Sequence, residues 1–142
     1  MAEAATAERE GGSGQGMPGW SHGTVYWSEL NTRDPERAKR FYADAIGWNF
    51  DPVPMDEGAY WAIKAGETLV GGMFEMKGPA FEGVPEHWLS YIAVDDVEAR
   101  VAKATAGGVT VIRPPFNVEG VGRIAILREP GGAVVGWMTP AS

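Results

Sequence analysis

Two stretches of this 142-residue chain repeat one plan, and that repeat limits its possible folds more than any other feature. The first reads TVYWSELNT and then RDPERAKRFYADAIGW; the second reads HWLSYIAV and then DDVEARVAKATAGGV. Aligning Asp34 with Asp96, an offset of 62 residues, sets Glu29 opposite Tyr91 and Trp27 opposite Leu89. In each stretch a strand-like run ends at an Asp whose carboxylate can accept from the first backbone N–H groups of a helix. Pro35 then takes the first helical position, where its missing N–H costs nothing. Ala38, Phe41, Tyr42, Ala45 and Ile46 follow at i, i+3, i+4, i+7 and i+8, which predicts one apolar helix face. Gly47 ends this helix, and Gly107-Gly108 ends the second, whose buried side is predicted at Val97, Val101 and Ala104.

Short strand candidates follow each helix, at about 47–51, 59–65 and 68–76 in the first half and 109–113, 122–128 and 133–138 in the second. Gly66-Glu67 and Gly131-Gly132 read as hairpin turns. Each half is therefore β-α-β-β-β, and the fold class is α+β. One such unit of about 55 residues buries too little surface to stand alone, so the two halves are expected to pair. The expected organisation is a disordered tail over residues 1–18, poor in anything that can be buried, and one domain over 19–142 with repeats at about 20–77 and 87–140.

Composition narrows the chemistry. With no Cys, thiolate catalysis, disulfides and Cys-ligated metals are excluded. Only His22 and His87 offer imidazole, so a metal site would depend on carboxylates. The 19 acidic residues against 12 basic ones, a net charge of −7, disfavour a nucleic acid or an anionic membrane as partner. No apolar run reaches the roughly 18 residues that span a bilayer, and the first 16 residues hold no secretory hydrophobic stretch. A cytoplasmic protein with a small-molecule partner is the expectation. Gly-rich phosphate loops, nucleophile elbows and HExxH are absent from the sequence.

The segments ELNTRDPERAKRFYADAIGW (29–48), YIAVDDVEARVAKATAGG (91–108) and GRIAILREPGGAVVGWM (122–138) resemble the vicinal oxygen chelate superfamily. That group holds glyoxalases, bleomycin-resistance proteins, epimerases and extradiol dioxygenases. With their spacing the segments cover nearly all of residues 22–139. The resemblance implies two βαβββ modules pairing into an open curved sheet around a ligand cavity, and frequent homodimers. It also implies where a metal would be held: a His seven residues before each capping Asp and a Glu near the end of each module's last strand. Those positions fall here on Trp27, Leu89, Gly136 and the stretch Val70-Gly71-Gly72-Met73. None of these side chains coordinates a metal ion. The expectation is no metal and no cofactor.

Strand alternation predicts what lines the cavity instead. If position 27 points inward, so do Val25, Glu29 and Asn31, while Tyr26, Ser28 and Leu30 face a helix. By the repeat, His87, Leu89, Tyr91 and Ala93 point inward, joined by Val134, Gly136 and Met138 of the last strand. Glycines at 71, 72 and 136 leave room for a larger ligand. The outcome is an apolar, aromatic pocket with few polar groups, the usual make-up of a small-molecule site. Glu29 is the candidate acid or base, because desolvation raises a carboxylate toward neutrality. Tyr91 is the candidate donor to a substrate oxygen and His87 a proton relay. Trp27, Tyr60 and Trp61 are candidates for stacking on a flat ligand, as against ordinary core packing. Arg123 either binds an anionic group or bridges to Glu29, which would make Glu29 structural. Arg113, before Pro114-Pro115, is expected to end its strand in a solvent-facing ion pair, and the loop 114–121 to lie over the cavity.

Three functions fit these residues. The first is a metal-independent enzyme that shuttles a proton on a small aromatic or polyketide-like metabolite through Glu29, with Tyr91 or His87, as an isomerase, cyclase, lyase or hydrolase. The second is a binding or sequestration protein similar to the drug-resistance members, in which stacking acts and no bond changes. The third is a glyoxalase- or dioxygenase-like metalloenzyme with displaced ligands, for which Glu29, His87 and Glu75 would be the set.

Overall fold

Two aspartates start the helices as their positions predict. In the computed structural model, which describes residues 19–55 and 58–141, Asp34 Oδ1 accepts from Arg37 N at 3.0 Å and Asp96 Oδ1 from Ala99 N at 3.1 Å. The expected tail over 1–18 lies outside the described residues. The elements run β1 (Val25–Thr32), α1 (Pro35–Ile46), β2 (Asn49–Val53), β3 (Tyr60–Ala65) and β4 (Thr68–Glu75), then a 3₁₀ turn at Pro79–Phe81. After it come β5 (His87–Ala93), α2 (Val97–Ala106), β6 (Thr110–Val118), β7 (Gly122–Arg128) and β8 (Val134–Pro140). The β-α-β-β-β plan thus occurs twice, and the class is α+β. Gly47 ends α1 at a φ of 79°, a left-handed conformation that suits glycine, so β2 begins at Asn49 rather than at 47.

The chain divides into two compact units, one over Ser28–Trp88 and the other joining Trp20–Trp27 to Leu89 and the residues after it. In the first, the strands lie in the order β2-β3-β4-β1, with β4 parallel to β1 and antiparallel to β3. Leu30, Ala38, Ile63 and Met73 form its core, with Tyr42, Trp48, Phe50 and Trp61 packed against them. Full burial of one such aliphatic side chain contributes about 1.5–3 kcal/mol. The helix face reads differently from its periodicity. Ala38 is buried, whereas Phe41 is 61% and Ile46 58% exposed. Contact with the sheet runs along the Ala38–Tyr42 line, and Phe41 stands beside it, edge-on to Tyr42 at 4.8 Å.

In the second unit the order is β5-β8-β7-β6. Adjacent residues of β7 point to opposite faces, and each face carries an apolar cluster. Val94, Val97, Val101, Ala125 and Leu127 pack beneath α2. Leu89, Tyr91, Ile124 and Met138 form the other cluster, against which Tyr26, Trp27, Phe116, Val118 and Ile126 rest. Tyr26, expected to face a helix, joins Trp27 here, and burial pushes its hydroxyl above the ordinary tyrosine range. The strand expected to stop at Arg113 continues through Pro114-Pro115 to Val118. Its register shifts between Val111 and Arg113 and again between Arg113 and Phe116. Since β6 ends the strand order, the prolines take places where a missing N–H breaks no ladder. The expected loop over 114–121 is accordingly short, and Arg113 lies 3.6 Å over the Phe116 ring instead of standing in a solvent ion pair.

Candidate functional site

Register decides which side chains of the first unit share a face. The β1–β4 pairing sets Glu29 against Gly72, Leu30 against Met73 and Asn31 against Phe74. The β3–β4 pairing sets Ala62 against Gly72, Trp61 against Met73 and Tyr60 against Phe74. Because side chains alternate along a strand, Glu29, Asn31, Tyr60, Ala62 and Phe74 lie on one face, with Leu30, Trp61, Ile63 and Met73 on the α1 face. Tyr60 leans along its face until its hydroxyl sits on Gly72. A Cβ at Gly72 would collide with Tyr60 Oη and its ring. Asn31 is 5% exposed, and its Nδ2 lies 3.4 Å from both Glu29 Oε1 and Glu29 O, so the amide steadies the carboxylate from its own strand.

Trp61 takes the α1 side, where Lys39 Nζ stands 5.1 Å from its ring centroid. Burial in the helix-side core, not a shared face with Glu29, accounts for this residue. His87 Nδ1–H donates to Pro85 O at 2.8 Å, since a carbonyl only accepts.

The second unit repeats the glycine arrangement with a different filling. Tyr91 pairs with Gly136 and Ala93 with Met138 across β5 and β8. A Cβ at Gly136 would collide with the Tyr91 ring itself. Leu89, Tyr91 and Met138 are buried together, with Trp27 against them. Arg123 points to the α2 side with Ala125 and Leu127, by alternation along β7. Its Nε donates to Glu98 Oε2 at 2.7 Å and its Nη1 to Asn117 Oδ1 at 3.1 Å. The carboxylate that Arg123 meets is therefore one on α2, and that hydrogen bond holds Glu98 below its ordinary range.

Glu86, which the sequence does not single out, gathers hydrogen bonds from β1, α1 and the turn between them. Its oxygens accept from Thr32 Oγ1 at 2.9 Å, Arg33 N at 3.1 Å and Arg37 Nη2 at 2.7 Å. The Arg37 bond, ahead of the others, keeps Glu86 below its usual range. Thr32 is fully buried and also accepts from Asp34 N at 3.1 Å, so this network fixes the turn from β1 into α1. A cleft of about 300 Å³ lies beside it, lined by Leu30, Arg37, Ala38, Phe41, Tyr42 and Glu86. It opens on the helix side of the unit. The partners are 49 to 54 residues away in sequence, beyond any local pattern.

The donor set does not fit a metal ion. Among the described residues no three His, Asp or Glu side chains gather as a metal would need. The displaced set of Glu29, His87 and Glu75 fails on register. Glu75 pairs with Thr32, three residues on from Glu29, so the two carboxylates leave opposite faces of one sheet. Where the resemblance implies a strand-end carboxylate, Gly72 and Gly136 instead each carry a tyrosine seated on the backbone.

Residues 24–136 match the model of the Glyoxalase/Bleomycin resistance protein/Dioxygenase superfamily. A putative glyoxylase, CFP32, of Mycobacterium tuberculosis is 42% identical over 120 residues, which is 84% of this chain and 45% of that protein. The anthracycline biosynthesis protein DnrV of Streptomyces peucetius is 29% identical over 130 residues, 82% of this chain and 47% of that one. The chain spans about half the length of these curated relatives. Among solved structures, methylmalonyl-CoA epimerase of Streptomyces coelicolor superposes with a TM-score of 0.64 at 17% identity, over 86% of this chain and 100% of that one. The Mn(II)-bound glyoxalase of Novosphingobium aromaticivorans gives 0.55 at 21% identity, over 83% and 39%. At these identities the likeness is one of fold. Among the described residues no helix is long and apolar enough to cross a membrane.

Proposed function

The chain belongs to the Glyoxalase/Bleomycin resistance protein/Dioxygenase superfamily, and we propose that it moves a proton on a small, flat, oxygen-bearing metabolite with Glu29, without a metal. The observation that carries this reading is the shared face of Glu29, Asn31 and Tyr60, where a carboxylate steadied by an amide stands beside aromatic surface. The name of the DnrV relative ties that protein to anthracyclines, which agrees with an aromatic, oxygen-rich ligand. The Glu29 carboxylate takes a proton from a carbon next to a carbonyl group. The electron pair left behind moves to the carbonyl oxygen, giving an enolate. Return of a proton to a different atom isomerises the molecule, whereas return to the same carbon after the carboxyl group has traded its proton with solvent leaves only an exchanged hydrogen.

Exchange tests this without knowledge of the natural ligand. The α-hydrogens of 2-tetralone, a flat aromatic ketone, are followed by NMR in deuterated buffer. The wild-type protein should speed their exchange above the buffer rate, and Glu29→Gln should return it to that rate, a loss of at least about 100-fold in the protein-dependent part. Equal exchange by both proteins removes Glu29 from the chemistry. The family's binding proteins would then be the better guide, with the aromatic face retaining ligand and changing no bond.

A further inference from the structure

We infer that the cleft beside α1 is a ligand site in its own right, distinct from the Glu29 face, and that it takes a flat aromatic carboxylate. Leu30, Ala38, Phe41 and Tyr42 give it apolar and aromatic walls, and Arg37 and Glu86 supply its charges. At about 300 Å³ it stands at the lower end of the range for small-molecule sites, which suits one or two fused rings. Three observations select the ligand's chemistry. The aromatic wall is fixed before any ligand arrives: Tyr42 is stacked on Trp48 at 5.0 Å and edge-on to Trp88 at 6.0 Å, and Phe41 stands edge-on to Tyr42. Phe41 is well exposed and α1 packs without it, so a ring laid on it gains burial and disturbs no core contact.

The polar groups, in turn, can donate and have little left with which to accept. Thr32 Oγ1, Arg33 N and Arg37 Nη2 already load the Glu86 oxygens. Among the described residues Arg37 makes its hydrogen bonds through Nη2, and about half of its side chain is exposed. The N–H groups of Nη1 and Nε therefore remain for an acceptor. Glu86 holds the guanidinium in place, which lowers the cost of ordering it on binding. The sign of the local charge agrees. Four of the chain's 12 basic residues, Arg33, Arg37, Lys39 and Arg40, fall within eight positions around the start of α1, in a chain of net charge −7. Glu86 matches Arg37 and Glu36 matches Lys39, whereas Arg33 and Arg40 stand in no ion pair among the described residues. The region stays cationic with Asp34 counted as well, and it attracts an anion.

Calorimetry with 2-naphthoate and with 2-naphthamide, its uncharged isostere, tests the assignment. The wild-type protein should bind the acid about tenfold more tightly than the amide, the effect of one hydrogen bond between charged groups. Arg37→Gln should erase that preference and leave the affinity for the amide unchanged. Phe41→Ala should weaken both ligands about tenfold through lost apolar contact, and should fold, since Phe41 lies outside the core. Sodium chloride at about 0.5 M should remove most of the acid's advantage in the wild-type protein, a reading that needs no variant if Arg37→Gln does not fold. Tetralone exchange should run at the wild-type rate in Phe41→Ala, so failure of the Glu29 reading and failure of this one show separately. A wild-type protein with no preference for the acid, or one whose preference salt leaves intact, overturns the assignment. So does an Arg37→Gln protein that keeps the preference, or a Phe41→Ala protein that binds both ligands as before.

Discussion

The two modules share a plan, and they differ on the face turned away from the helix. In the second unit that face is a closed apolar cluster, in which Tyr91 is 5% exposed among Leu89, Ile124 and Met138. In the first unit the corresponding face carries Glu29, Asn31 and Tyr60. Each last strand brings a glycine to the matching register position, Gly72 facing Glu29 and Gly136 facing Tyr91. A phenol hydroxyl rests on the first and a ring on the second. One repeat has thus spent this face on packing and the other has kept polar groups there. Duplicated backbones fix where side chains project, and leave each copy to choose between stability and chemistry.

The comparison is sharpened first at the two cores. Ile63 and Leu127 are both fully buried, the one in the first unit and the other beneath α2. Truncation of either to Ala should lower stability by about 2–5 kcal/mol, read by urea denaturation. A Leu127→Ala protein that loses less than about 1 kcal/mol would mean that the α2 cluster is not the packed core described above.

The glycines should separate the modules at a smaller scale. Gly136→Ala drives a Cβ into the body of the Tyr91 ring, held within a buried cluster, and should cost about 1–3 kcal/mol. Gly72→Ala meets the far end of Tyr60, which can swing away, and should cost about 1 kcal/mol or less. Equal losses in thermal denaturation would erase the distinction between a ring held in a buried cluster and the far end of a side chain that can move.

The smallest expected effect is electrostatic and belongs to the second unit. The hydrogen bond from Arg100 holds Asp95 at about 2, down from 3.8. A carboxylate with a depressed value in the folded chain stabilises the fold above its unfolded value and loses that contribution as it takes up a proton. Stability from this pair is therefore complete above about pH 4 and falls away towards pH 2. Asp95 is solvent-facing, so the effect should be modest and weakened by salt. Denaturation midpoints measured from pH 5 to pH 2 should fall less steeply in Arg100→Ala than in the wild-type protein.

Much of this architecture is written locally. Asp34-Pro35 and Gly47 bracket α1, Asp96 and Gly107-Gly108 bracket α2, and short turns follow where the glycines stand, because each signal acts within four residues of itself. The Glu29 and Asn31 face was legible for the same reason, from alternation along one strand. Which of Tyr60 and Trp61 joins it was not, since adjacent aromatic residues give no phase until pairing with β4 assigns one to each side. The passage of β6 through Pro114-Pro115 was hidden because a proline's effect depends on whether its strand lies at an edge. The exposure of Phe41 and Ile46 depends on how much of the α1 surface the sheet reaches, which periodicity does not state. Arg123 meets a carboxylate 25 residues away, and Glu86 gathers donors about 50 residues distant, beyond any pattern in a single sequence.

The seating of Tyr60 on Gly72 has a consequence for how such a chain can change over generations. A side chain introduced at position 72 takes the place of the phenol oxygen, so the ring of Tyr60 has to swing aside as the new residue arrives. The two positions are therefore coupled, and whatever stands at 72 also decides where the residue 60 hydroxyl can stand.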